Sequence, residues 1–189
     1  MLDKFAGGWS LAGIVRAASG LSLVVSQGVS ALGAGTTLVA QSGAIPVGDP
    51  ASLRTGVNQG VGGLINVGTN GDAGVGGSAI NLFENPEAAF NNFRRILISQ
   101  DGRSGRLNPL RGFSMWNLDP SLGKTTHLRE NIAARFSLDF FNVFNHPIFS
   151  NPTRALTNSR SFGVVTQQNV PTRRESASRW TQFGLRLEF

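Results

Sequence analysis

Apolar and polar side chains alternate at every second position through residues 178–189. Thr181, Phe183, Leu185, Leu187 and Phe189 fall on one side of an extended chain; Gln182, Gly184, Arg186 and Glu188 fall on the other. A period of two marks a strand with one oily and one wet face. A strand that crosses a bilayer needs roughly 9–11 residues with apolar-out, polar-in alternation and aromatics near the interfaces. The stretch meets each condition, whereas the chain ends of soluble sheets usually fray.

Three earlier stretches share the pattern. In residues 8–25, Trp9, Leu11, Gly13, Val15 and Ala17 alternate with Ser10, Ala12, Ile14 and Arg16, and Leu21, Leu23 and Val25 continue beyond Gly20. That run exceeds one crossing, so it is expected to project beyond the membrane or bend at Ser19-Gly20. In residues 113–123, Trp116, Leu118, Pro120 and Leu122 oppose Asn117, Asp119, Ser121 and Gly123. Pro120 cannot donate to a ladder and weakens that assignment. Residues 131–144 give the strongest internal strand: Ile132, Ala134, Phe136, Leu138, Phe140 and Phe144 face one way, and Arg135, Ser137 and Asp139 the other, with Phe141 and Val143 at the far end.

The intervening stretches read as connections. Residues 26–112 are rich in Gly, Ala, Ser, Asn and Thr, with turn pairs Asn70-Gly71 and Asp101-Gly102 and similar textures at Val61-Gly62-Gly63 and Val75-Gly76-Gly77. Within them, residues 86–97 predict a short helix with Pro86 in its first turn and Glu87 near its positive end. Residues 145–177 form a second long connection. It opens on the Asx/Pro turn signals of Asn145-His146-Pro147 and Asn151-Pro152 and carries a β-like piece at Phe162–Thr166. Residues 124–130 are a short polar link. If the strands alternate in direction, that link shares a rim with Phe189, and both long connections share the opposite rim. Short turns on one side and long loops on the other is the asymmetry of outer-membrane barrels.

Composition agrees. Of 189 residues, 40% are hydrophobic and only 15% charged, which is low for a wholly solvated surface. There is no cysteine, so thiol catalysis and Cys-ligated metal are excluded. No run of 18 apolar residues suggests a transmembrane helix. Met1-Leu2-Asp3-Lys4-Phe5 is not followed by a signal-peptide core, so an exported protein of this sequence is expected to be a fragment of a longer one. The net charge of +6 comes mainly from arginines in residues 91–189. They are scattered with no basic run longer than two, so no nucleic-acid partner is expected.

Catalytic chemistry is expected to be absent, with no cofactor and no metal. His127 is read in a turn and His146 before a proline, neither with a second ligand at metal spacing. No Gly-x-Ser-x-Gly elbow occurs. Gly33-Ala34-Gly35 and the Gly74–Gly77 cluster lack the Gly-Lys-Ser/Thr that follows a phosphate loop. Asp119 and Asp139 read as residues of a wet interior, set against Arg135 and Arg186, rather than as an acid–base pair.

Phe141-Asn142-Val143-Phe144-Asn145-His146-Pro147, the Phe162-Gly163 segment, Arg106 through Leu110-Arg111-Gly112 before Trp116-Asn117-Leu118-Asp119, and the closing Gln182–Phe189 together resemble the C-terminal end of TonB-dependent outer-membrane receptors. The nearest group is the Oar-like set with a carboxypeptidase-regulatory-like domain. The resemblance covers most of the chain and is clearest from about residue 84. It implies a signal peptide, a plug threaded through a barrel of about 22 strands, and a box that engages TonB, all N-terminal to what this chain supplies. The expected fold class is therefore all-β: an open antiparallel sheet that is the last four or so strands of a transmembrane β-barrel, with long irregular loops and one short helix.

The resemblance also implies roles. Phe183, Leu185, Leu187 and Phe189 would carry the membrane-assembly signal. Trp9, Trp116 and Trp180 would serve as interfacial aromatics, since the chain has thirteen Phe but no Tyr. The implied partners are outer-membrane lipid, the barrel-assembly machinery, the missing plug and barrel strands, and TonB only through the missing N-terminal part. A soluble secreted β-rich adhesin or binding module is the alternative function.

Overall fold

The period-two segments fold as the sequence pattern dictates, into one continuous sheet. The computed structural model describes residues 6–28, 43–49, 53–57, 67–101, 110–169 and 178–189. Among them the order of elements is β1 (Trp9–Ala18), β2 (Ser22–Leu23), β3 (Ile45–Pro46), β4 (Gly56–Val57), β5 (Ile80–Asn81), α1 (Pro86–Asn91), β6 (Phe93–Arg94), α2 (Ile98–Asp101), β7 (Leu110–Arg111), β8 (Met115–Arg129), β9 (Ile132–Phe141) and β10 (Trp180–Glu188). The chain divides into two compact units: residues 1–18, 114–148 and 168–189, and residues 19–113 and 149–167. Gly33–Gly35, Val61–Gly63, Gly102 and Arg106 lie outside the described residues.

The first unit is a four-stranded antiparallel sheet in the order β1-β8-β9-β10. β8 is longer than its pattern suggested. Lys124–Arg129 continue the strand instead of forming a link, and only Glu130 and Asn131 make the turn to β9. His127 is therefore a strand residue, paired with Ala133. The first strand ends at Ala18 rather than running to Val25. Pro120 is accommodated by parity. The Thr125 N–H donates to Gly8 O on the β1 side (2.9 Å), so even-numbered N–H groups of β8 point toward β9. The β8–β9 register begins at Ser121, so the donor that Pro120 lacks falls where that ladder has ended.

The second unit gathers short strand pairs around a hydrophobic core. β2 pairs with β7, β3 with β6 and β4 with β5. Leu23, Val25, Leu82, Phe83, Phe93, Leu110 and Phe162 are buried in the core. The Phe162 ring stacks on Phe83 at 5.3 Å and meets Phe90 edge-on at 5.2 Å. Gly163 allows this approach: its φ is +76°, and a Cβ there would lie 2.6 Å from the Phe83 ring. The fully buried Asn81 satisfies both ends of its amide, donating to Phe162 O (2.9 Å) and accepting from Phe83 N (2.9 Å). Residues 26–112, read from sequence as a long connection, therefore contribute to a packed core.

The helix expected after Pro86 is α1. Asn85 caps it by accepting from Ala88 N (3.0 Å), Pro86 opens it, and Glu87 lies in its first turn. It ends at Asn91, before the expected Leu97, because Phe93–Arg94 pair with β3 as β6. Arg94 then grips Asp101 with two hydrogen bonds (2.5 and 2.8 Å), and Leu97 N donates to the same carboxylate (2.8 Å). The Arg94 bond first, and the Leu97 N–H second, hold the Asp101 carboxyl at a pKa of about 2.

Candidate membrane interface

Cross-strand register decides what each sheet face presents. Trp9, Leu11, Gly13, Val15 and Ala17 of β1 stand beside Lys124, Leu122, Pro120, Leu118 and Trp116 of β8. Leu122 and Lys124 stand beside Leu138 and Phe136 of β9, which stand beside Phe183 and Leu185 of β10. One face is therefore apolar through all four strands. It is not covered: Leu11 is 79% exposed, Phe183 71% and Leu185 73%. A contiguous apolar face left bare marks a binding or membrane surface.

Lys124 and Trp116 are eight residues apart on β8 (124 − 116). That is about 26 Å along the strand, or about 20 Å of depth at a tilt of roughly 40°. The span approaches the apolar band of about 25 Å in outer-membrane barrels. Trp9 and Trp116 sit at opposite ends of this belt, each beside a nitrogen-bearing side chain. Lys124 Nζ lies 4.7 Å from the Trp9 ring centroid, and the His146 ring stacks on Trp116 at 4.4 Å. Trp180 differs. It pairs with Phe141 and falls on the opposite face, its ring stacked on Phe141 at 3.9 Å. Leu187 shares the apolar face, and Phe189, just beyond β10, is fully exposed.

That opposite face is polar and cross-linked. Arg135 and Arg186 are direct cross-strand partners, a repulsive pairing taken alone. Glu188 offsets it by forming an ion pair with each, at 3.2 Å and 3.3 Å. Asp119 accepts from Asn117 Nδ2 (2.9 Å) and from the Asn142 N–H (2.8 Å), and lies 4.0 Å from Arg16. Ser121 donates to Asp139. The two aspartates thus line the wet face as expected, but with different partners: Arg16 rather than Arg135 or Arg186 faces Asp119. Ser10, Gly123, Ser137 and Gly184 form a row of small residues across the strands. A Cβ at Gly123 would come within 2.4 Å of Ser10 Oγ, and one at Gly184 within 2.5 Å of Ser137 Oγ.

The Phe141–Pro147 motif, read in the sequence as a resemblance and, from Asn145 on, as a turn signal, has a structural cause. Asn142 and Asn145 hold φ of 51° and 52°, which few residues other than Gly, Asn and Asp adopt readily. The Asn142 amide donates to His146 O (3.0 Å) and accepts from His146 N (2.8 Å), closing the turn like a short ladder. Asn145 Oδ1 accepts from the Arg179 N–H (3.0 Å), tying the turn to the entry of β10. Sequence reasoning named the run but not these roles; two Asn residues flanking a Val-Phe pair were the available signal.

The connections are sorted by rim. β8 and β9 are joined by two residues, whereas residues 19–114 and 142–179 leave and re-enter the sheet at the other rim. Among the described residues, no group of three His, Cys, Asp or Glu could hold a metal ion, and no helix is long and apolar enough to cross a membrane. The family described as outer membrane beta barrel domain matches residues 1–182. Comparison with curated proteins and with solved structures gave no match. A bare apolar face on a sheet whose reverse is polar and cross-linked fits a wall between lipid and lumen, and this chain belongs to the family of outer membrane β-barrel domains, located in the outer membrane.

Proposed function

We propose that this chain forms part of the barrel wall of a TonB-dependent outer-membrane receptor and takes no catalytic part in transport. The observation that carries the reading is the division of the sheet into a bare apolar face and a cross-linked polar one, with both long connections at one rim. In this reading the free edges of β1 and β10 pair with further barrel strands, because an open sheet edge is not tolerated in hydrocarbon. The polar face lines a lumen filled by a plug, and the row of small residues at Ser10, Gly123, Ser137 and Gly184 admits plug backbone at close range. The long connections meet the substrate. TonB acts only through the plug segment, and the partners along the wall are lipid and the barrel-assembly machinery.

Phe183, Leu185, Leu187 and Phe189 carry the assembly signal in this account, Trp9 and Trp116 mark the two lipid interfaces, and Trp180 serves on the lumen side. The test is photo-crosslinking in intact cells from two adjacent positions of the full-length protein. A photoreactive residue replacing Gln182 should give an intrachain adduct with an N-terminal plug segment; one replacing Phe183 should give lipid adducts. Lipid adducts from Gln182, or none within the chain, would refute the plug-filled lumen.

A further inference from the structure

The two ends of the apolar belt are built differently. At the short-turn end, the cation is already engaged: Lys124 Nζ donates to Gly7 O at 2.6 Å and lies over Trp9. At the long-connection end, Trp116 of β8 meets Phe144 and His146 of the 142–146 turn, and Arg179, which leads into β10, hydrogen-bonds to the same turn. The positive φ values of Asn142 and Asn145 fold the turn so that Phe144 and His146 reach Trp116, with ring centroids 5.6 Å and 4.4 Å away. Arg179 lies along the same turn, its backbone N–H on Asn145 Oδ1 and its Nη1 3.5 Å from Val143 O.

Three features of this cluster go unused by the fold. Arg179 is exposed and joins no ion pair among the described residues. The His146 ring stacks on Trp116 while its nitrogens make no hydrogen bond among the described residues. Phe144 is 63% exposed and Trp116 42%, continuous with the lipid-facing rows. Aromatic rings at the end of the apolar belt, on a turn that also holds a guanidinium and an imidazole, match a molecule with acyl chains and an anionic oxygen-rich head. Guanidinium suits phosphate in particular, because its planar fork donates two parallel hydrogen bonds.

We propose that this rim cluster binds the phosphate-bearing headgroup of a membrane lipid in the leaflet on the long-connection side. Arg179 and His146 hold the phosphate, and Trp116 and Phe144 flank the upper part of the chains. Asn142 and Asn145 are positioning residues that hold the turn in place. The inference rests on the lipid-facing assignment of the apolar belt and adds a specific lipid to it.

The experiment places the full-length protein in phosphatidylcholine nanodiscs carrying a trace of dye-labelled lipid A. Energy transfer from tryptophan to the dye reports the bound headgroup. Quenching by brominated phosphatidylcholine separately reports insertion of the belt. R179Q leaves the backbone contact to Asn145 in place and should weaken lipid A retention about tenfold, the share of one charge-assisted hydrogen bond. R179K should retain most of the binding, and R179Q/H146Q should lose nearly all of it with bromine quenching unchanged. Retention in R179Q/H146Q equal to wild type would overturn the proposal. So would displacement by inorganic phosphate as effective as by unlabelled lipid A, which would make this a free-anion site. Absence of bromine quenching in the wild type would overturn the belt assignment itself and the proposal with it.

Discussion

Phe183 and Gln182 are neighbours in the chain and face opposite media, so placing the same charge at each separates a barrel wall from a soluble sheet. Phe183 shares a row with Leu11, Leu122 and Leu138, two residues from the Trp9 row and six from the Trp116 row. It therefore sits about 5 Å from the middle of the belt at a tilt of roughly 40°. Arginine facing lipid costs about 2–4 kcal/mol at the midplane and little near the interface, so about 2 kcal/mol applies at this depth. Loss of a lipid-buried ring adds about 2 kcal/mol. Phe183→Arg should thus destabilise the inserted protein by about 4 kcal/mol, roughly a thousandfold in the folding constant. Gln182→Arg places the cation opposite Asp139 on the wet face and should change stability by about 0.5 kcal/mol or less. The assay is reversible denaturant unfolding of the full-length protein in lipid vesicles. A soluble sheet predicts no such difference. With Phe183 71% exposed to water, an arginine there would be worth only about 0.5 kcal/mol either way. Equal effects of the two substitutions would refute the two-medium reasoning.

Asn142→Ala removes two hydrogen bonds to His146 and leaves φ of 51° to a residue without the side-chain amide that makes it tolerable for Asn. It should cost about 3 kcal/mol, against about 2 kcal/mol for Asn142→Gly, which keeps the backbone freedom; unfolding followed through Trp116 fluorescence measures both. The Asp101 carboxyl is held at about 2, below its ordinary value near 3.9. Its stabilising contribution is therefore complete above about pH 4 and is lost as pH falls toward about 2. In thermal melts across that window, Asp101→Asn should blunt the acid sensitivity of the second unit; an unchanged acid profile would remove the pair from the account. Deleting Phe189 from the full-length protein should lower the amount recovered folded in the outer membrane, as seen in the heat-dependent gel mobility of membrane fractions. Unchanged recovery would remove Phe189 from the assembly signal.

Legibility in the sequence followed the range of the interactions. β1, β8, β9 and β10 each declare themselves within a dozen residues, because a strand between two media must alternate at every step. The same alternation gave both faces, including the rows that hold Phe183, Leu185 and Leu187. The β8 extension was missed because Lys124, Thr126 and His127 carry no apolar signal; a polar β-hairpin beyond the belt resembles a loop. Apart from α1, the second unit was illegible for a deeper reason. Its strands are two residues long, too short to show a period, and its core joins Leu23 to Leu110 and Asn81 to Val164 across more than eighty residues. The rim cluster was half-visible. Its motif could be read, but its logic lies in φ values and in contacts to Trp116 and Arg179 that no local pattern encodes.

One chain treats its oily residues in two opposite ways, and that contrast argues for lipid more strongly than the bare face alone. Phe83 and Phe162 are wholly buried in the second unit, while Leu11, Val15, Phe183 and Leu185 stand open on the sheet. Faulty packing would not spare one unit and strip another so regularly. On the reverse face, charges are paired instead: Glu188 relieves the Arg135–Arg186 repulsion, and Asp119 accepts from two amide donors. The polar face is thus finished for an aqueous or protein-filled lumen, and the apolar face is finished for hydrocarbon. In water each large apolar side chain on that face would forgo about 1.5–3 kcal/mol of burial. Covering the belt with a second apolar layer recovers that gain at each position, and for a barrel domain of the outer membrane that layer is lipid.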